Sequence, residues 1–183
     1  MSVITLPERS NETLVRSRLR TITISTGVGT SPTTLAAFDG ALLRCGIGNF
    51  NLLRLSSVIP PDTNVVTLDG PADVLGDWGD RLYVVMAEQR VDRPGREAWA
   101  GIGWVQHEET GRGLFVEHEG VSECQVRDDI ERTLAAMIEA RPRASFGPVQ
   151  SVVQGARCEG PPVCAMVAAV YESASWSVDL RGT

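Results

Sequence analysis

The chain has 183 residues, 43% of them hydrophobic and 22% charged, with a formal net charge of −6, which is length enough to bury one core without disulfides or metal. No apolar run nears the roughly 18 residues that read as a membrane span, and the acidic balance disfavours nucleic acid, whose phosphates favour a basic footprint. All 17 basic residues are arginine, so no lysine is present to hold pyridoxal phosphate through an internal aldimine.

Residues 1–19 mix charge and polarity without the apolar stretch of a secretory signal, and read as an N-terminal tail or an oligomer arm. From Arg20 to Thr26 apolar β-branched and polar residues alternate, the pattern of a half-buried strand. Gly27-Val28-Gly29 then reads as a turn, being too short for a phosphate cradle. Ser31 before Pro32 predicts an N-cap and first helical residue, with the helix running to about Leu43 and ending at Gly46 and Gly48. On it Leu35, Phe38 and Leu42 form an apolar stripe with Asp39 at its edge. That carboxylate needs a partner. The choice is an internal arginine, Arg44 or Arg54, or a guanidinium from outside.

Phe50 to Leu55 predicts a strand leading into Ser56-Ser57, and Pro60-Pro61 ends its pairing. The segment from Asp62 to Asp80 reads as a loop carrying Trp78, suited to an interface or a lid. Further strands are expected at Arg81 to Val91, Ala98 to Gln106, Gly113 to His118, Ser151 to Ala156 and Val163 to Tyr171. A second helix starts at Ser122, carries Asp128 and Asp129 in its early turns, places Ile130, Leu134, Met137 and Ile138 at helical spacing, and ends near Arg141-Pro142. Mixed strands and helices in this proportion predict a one-domain α/β or α+β sandwich.

Cys45, Cys124, Cys158 and Cys164 lack zinc-ligand spacing and read as reduced, mostly buried thiols of a cytoplasmic protein. His107 and His118 have no Cys-x-x-Cys nearby, so no metal is expected. The acidic surface serves solubility and also suits a cationic ligand.

The segment with distinctive chemistry is Gly48-Asn49-Phe50-Asn51-Leu52-Leu53-Arg54-Leu55-Ser56-Ser57-Val58-Ile59-Pro60-Pro61. A serine at a strand end has a hydroxyl that can attack its own preceding peptide bond. Here Ser57 would add to the Ser56 carbonyl, convert amide to ester and, after elimination, leave a pyruvoyl group at residue 57. A Ser-Ser pair alone is common and says little. Its surroundings say more: together with Thr30-Ser31-Pro32, Ala37-Phe38-Asp39-Gly40-Ala41-Leu42-Leu43 and Gly46-Ile47-Gly48-Asn49-Phe50-Asn51-Leu52, this segment resembles the pyruvoyl-dependent arginine decarboxylases. Shorter likenesses lie at Gly113 to Gly120 and, more diffusely, at Cys164 to Tyr171.

The resemblance implies an α+β four-layer αββα sandwich over residues 20–176, with 177–183 as a C-terminal tail, assembled as a homotrimer or a dimer of trimers. It implies cleavage between Ser56 and Ser57, a covalent pyruvoyl cofactor derived from Ser57, and decarboxylation of L-arginine to agmatine through a Schiff base on that group. By the same resemblance Glu117 is the acid that returns a proton to the α-carbon, a task that begins only after the pyruvoyl exists. Taken alone, Glu117 reads as a strand-end glutamate in solvent. His118, beside it, points to the opposite face of a regular strand. Asn51 is implied as a catalytic neighbour of the pyruvoyl, and Asp39 and Leu42 as substrate-binding residues. A straight strand would hold Asn51 and Ser57 roughly 20 Å apart, so the strand bends or Asn51 serves a neighbouring subunit. The alternatives are the same mechanism on another amino acid such as histidine, or an uncleaved trimeric binding or structural protein.

Overall fold

The computed structural model describes residues 19–176; most of both expected tails lies outside them. Strand β1 (Arg20–Thr30) runs straight through the glycines expected to turn, and α1 (Thr34–Cys45) follows. The reason is close packing. A Cβ on Gly29 would stand 1.9 Å from the Ala37 carbonyl oxygen, so these glycines let α1 lie directly on the strand rather than break it. The helix is capped by Thr33, whose hydroxyl accepts from the Ala36 amide at 3.2 Å, two residues later than expected. At its far end Gly46, in the left-handed region (φ 80°), returns its N–H to the Leu42 and Leu43 carbonyls, the usual task of a C-terminal glycine.

The buried face of α1 carries Ala37, Ala41, Leu42 and Cys45. Leu35, expected in the stripe, is 67% exposed instead, because small residues at 37 and 41 are what the close helix-on-strand approach admits.

Strand β2 (Asn51–Arg54) pairs with β5 (Arg81–Val91), while β3 (Val58–Ile59) pairs with β7 (Gly113–Gly120) in a different sheet. The expected single strand is therefore two. After them comes β4 (Thr63–Thr67), a parallel partner of β1 inside the segment expected to be loop. Its five residues sit between Pro61-Asp62 and Asp69-Gly70-Pro71, and those breakers masked it. Residues 68–80 have no strand or helix.

The remaining elements are β6 (Glu97–Gln106), α2 (Glu123–Glu139), β8 (Gln150–Arg157) and β9 (Val163–Ala174). As expected, Ser122 caps α2, accepting from the Gln125 amide at 3.3 Å. One sheet has the order β2-β5-β9-β1-β4 and the other β3-β7-β6-β8. In β9, residues Val163 to Val170 are buried without alternation, because the strand is covered by α1 on one face and by the second sheet on the other.

Three packed seams follow. Ala37, Ala41, Leu42 and Cys45 meet Met86, Cys164, Met166 and Ala168 under α1. Ile22, Ile24, Val85, Ile102, Phe115, Val167 and Ala169 fill the space between the sheets. Val126, Ile130 and Leu134 seat α2 on Val105, Leu114 and Val116. The architecture is the four-layer αββα sandwich, α+β in class. Among the described residues no helix is long and apolar enough to cross a membrane.

Candidate active site

The chain changes sheets at Ser56-Ser57. Leu55 still follows the first sheet, its N–H donating to the Val84 carbonyl at 2.9 Å, and Val58 already pairs with Leu114 in the second. To make the crossing Ser57 adopts φ 65°, a left-handed conformation that costs a non-glycine residue roughly 1–2 kcal/mol. Something must hold it there. The Phe115 N–H donates to the Ser57 carbonyl at 2.8 Å, and the Tyr171 hydroxyl donates to the Val58 carbonyl at 3.1 Å.

The Ser57 hydroxyl donates to Glu117 Oε1. Alternation along β7 explains the aim: Phe115 lies in the seam between the sheets and Val116 in the seam under α2, so Glu117 follows Phe115 and His118 follows Val116. His118 accordingly meets α2, with Nε2 2.8 Å from Thr133 Oγ1. The expected opposition of Glu117 and His118 is what the strand shows. Glu117 is half-buried, and it touches Ser57 in the uncleaved chain, earlier than the resemblance suggested.

Burial pushes the Tyr171 phenol above its ordinary range, and the nearby Glu117 carboxylate pushes it in the same direction. The Phe115 and Tyr171 rings meet edge to face, 6.3 Å between centroids. Beside the crossing opens a cleft of about 420 Å³, lined by Ile22, Leu55, Pro60, Tyr83, Tyr171 and Glu172 among others. A second cleft of about 500 Å³ lies along β3 next to Arg112, Arg141, Arg143 and Phe146, and none of the expected site residues lines it. Among the described residues no group of three or more His, Cys, Asp and Glu gathers to hold a metal.

Of the expected site residues, Ser56, Ser57 and Glu117 come together. The others do not. Leu42 is packed under α1, on the face of the five-stranded sheet away from the seam that holds Phe115. Asp39 is on the exposed side of α1 between Leu35 and Leu43, which are 67% and 54% exposed. Among the described residues it makes no ion pair, with Arg44 and Arg54 included. The Asn51 amide donates to the Gly79 carbonyl, which also accepts from the Trp176 indole at 2.8 Å. Two participants carried no sequence signal of their own: the Phe115 N–H, which any residue there would supply, and the Tyr171 hydroxyl, visible only as the end of an apolar run.

The family model described as pyruvoyl-dependent arginine decarboxylase (PvlArgDC) matches residues 21–175. A relative of that name from Halobacterium salinarum is 43% identical over 96 residues, 52% of this chain and 58% of the relative. Another, from Methanocaldococcus jannaschii, is 35% identical over 118 residues, 64% of this chain and 67% of the relative. A solved structure of pyruvoyl-dependent histidine decarboxylase at pH 8 is similar over 57% of this chain and 53% of its own, with TM-score 0.39 and 20% identity. The match thus spans less than two thirds of the halobacterial relative's length. With the family model covering the whole two-sheet core and the serine crossing inside it, the chain belongs to the pyruvoyl-dependent arginine decarboxylase family.

Proposed function

We propose that this chain is a self-processing pyruvoyl-dependent decarboxylase that converts L-arginine to agmatine and carbon dioxide. The observation that carries the reading is the Ser57 hydroxyl donating to Glu117 while Ser57 is held in the left-handed conformation at the sheet crossing. A serine so placed has a base at its oxygen and a strained backbone on the peptide bond it must attack.

Glu117 takes the Oγ proton as Oγ bonds to the Ser56 carbonyl carbon. The Ser56–Ser57 carbon–nitrogen bond then breaks, and the nitrogen leaves as an amine with that proton. Loss of the residue 57 α-proton and rupture of its Cβ–O bond release residues 1–56 with a terminal carboxylate. Water replaces ammonia at the dehydroalanine that remains, giving the ketone. Ser57 and its neighbours fit this product: the residue 57 carbonyl already has a donor in Phe115, and Glu117 stands next to the place that Oγ vacates. The chain's lack of lysine leaves pyridoxal phosphate without its anchor.

The pyruvoyl group supplies an electron sink for removing the carboxyl of an α-amino acid. Glu117 then holds the proton that returns to the substrate. Asp39 receives the substrate guanidinium, a bidentate charge-assisted contact that an unpaired carboxylate between exposed leucines is suited to make once a second copy covers it. Asp39 and Asn51 belong to one copy and Ser57 to the next, since within a single chain Asp39 lies beyond the five-stranded sheet from Ser57. The working unit is a homotrimer or a dimer of trimers. The unpaired thiols fit a reducing compartment such as the cytoplasm.

Intact mass tests the reading. Purified wild-type protein should show chains 1–56 and 57–183, the second beginning with a pyruvoyl, and should release carbon dioxide from arginine. Ser57→Ala should remain one chain. A wild type that stays whole after prolonged incubation at neutral pH overturns the proposal.

A further inference from the structure

Residue 57 is held from both sheets, and the second hold comes from a residue that the chemistry above does not use. Phe115 on β7 fixes the carbonyl of residue 57; Tyr171 on β9 fixes that of residue 58. Tyr171 sits at a break in the strand pairing. Leu82 of β5 pairs with Ser173 and Val84 with Val170, so Tyr171 and Glu172 together oppose the single residue Tyr83. Two residues against one is a β-bulge, a device that bends a strand and re-aims a side chain, and one found often beside active sites.

The bulge ends the buried run of β9, where Val167 and Ala169 face the seam between the sheets, and it delivers the next inward side chain to the crossing. The Phe115 ring then fixes the phenol edge to face. Phe115 therefore acts twice, with its N–H on Ser57 and its ring on Tyr171. The hydroxyl reaches a backbone carbonyl at the start of β3, a strand of only two residues with little pairing of its own. That bond adds a further hold beside the two on residue 57 itself, the Phe115 N–H at its carbonyl and Glu117 at its hydroxyl.

We propose that Tyr171 is a positioning residue for self-cleavage: by holding the Val58 carbonyl it keeps residue 57 in the conformation that presents Oγ to the Ser56 carbonyl. The inference rests on the self-processing reading. It assigns no bond-making to the phenol, which keeps its proton throughout.

The test follows cleavage of chains made by cell-free synthesis, with mass readout of intact protein and fragments, for wild type, Tyr171→Phe and Tyr171→Leu. Hydroxylamine is added in a parallel reaction. It attacks the ester carbonyl, breaks its bond to Ser57 Oγ and leaves a Ser56 hydroxamate, so the hydroxamate yield reports how well the acyl shift is aligned. Phenylalanine keeps the ring and loses the hydroxyl. The expected result is cleavage slowed roughly 3- to 10-fold, the rate equivalent of one net hydrogen bond, with a lower hydroxamate yield and a melting temperature close to wild type. Leucine should be as slow and also melt earlier.

Tyr171→Phe cleaving and trapping at the wild-type rate overturns the proposal. So does slow cleavage with an unchanged hydroxamate yield, which would place the hydroxyl's effect after the acyl shift. A wild type that neither cleaves nor traps overturns the self-processing reading itself, and this inference with it.

Discussion

The Phe115 N–H reaches the Ser57 carbonyl at 2.8 Å, so the strand that carries Glu117 also fixes the residue whose hydroxyl Glu117 accepts. Hydroxyl donor and carboxylate acceptor are thereby set by one strand register, Val58 opposite Leu114. A one-residue slip of β3 on β7 would turn every side chain of β3 to the wrong face.

Because that contact exists before any cleavage, Glu117→Gln should impair both stages. A glutamine can accept the hydrogen bond but cannot remove the proton. Chain cleavage and, in whatever fraction matures, carbon dioxide release should each fall roughly 10²- to 10⁴-fold, the range of general acid–base catalysis. Intact mass against time measures the first and carbon dioxide per cleaved chain the second. Cleavage at the wild-type rate would confine Glu117 to the later chemistry.

Asp39→Asn should leave cleavage unchanged, since Asp39 is on the exposed side of α1 and the crossing is on the far side of the sheet. KM for arginine should rise about 10- to 100-fold, the worth of a charge-assisted contact. For an uncharged amino acid of similar length it should hardly move. Equal losses for the two substrates would remove Asp39 from the guanidinium site.

Gly29→Ala tests the packing that seats α1. Its Cβ would meet the Ala37 carbonyl oxygen at 1.9 Å, whereas a Cβ on Gly70 meets nothing within 4 Å. Overpacking of this kind costs about 3 kcal/mol, and a domain of this size loses roughly 2–4 °C per kcal/mol. At equal protein concentration Gly29→Ala should therefore melt about 6–12 °C below wild type, and Gly70→Ala within a degree or two of it. Equal melting temperatures would mean that α1 shifts freely on β1.

How much of this was legible beforehand follows from where the information lies. Strand β5 and the Ser122 cap of α2 were readable because alternation and capping are local patterns. Gly27 and Gly29 were misread because the reason for them is a later helix that folds back onto the strand, and a glycine looks the same whether it turns the chain or admits a neighbour. The same logic holds on the other sheet, where a Cβ on Gly103 would stand 2.1 Å from the Ile130 side chain. Strand β4 was hidden by flanking breakers. Ser57 stood out as a candidate nucleophile, but the bonds around its left-handed backbone, from Phe115 to its own carbonyl and from Tyr171 to that of Val58, come from β7 and β9, more than fifty residues away in sequence. Tyr171 could be placed only once the bulge was seen.

The buried thiols give a prediction in pH. Cys45 is pushed up to about 12 by burial and then by its neighbour Cys164, and Cys164 to about 12 by burial and then by the Glu88 carboxylate. In the unfolded chain both ionise near 9, as free thiols do. The folded state therefore keeps protons that the unfolded state releases. The stability these groups contribute is complete below about pH 9 and is lost as pH rises toward 12. Tyr171, also raised, adds loss in the same direction, and the chain has no lysine to titrate alongside. Melting temperature should fall more steeply between pH 9 and 11 in wild type than in a Cys45→Ala, Cys164→Ala variant. At pH 8, iodoacetamide should label exposed Cys124 quickly and leave buried Cys45, Cys158 and Cys164 untouched until the fold opens. Parallel alkaline slopes in the two proteins would remove the thiols as the cause.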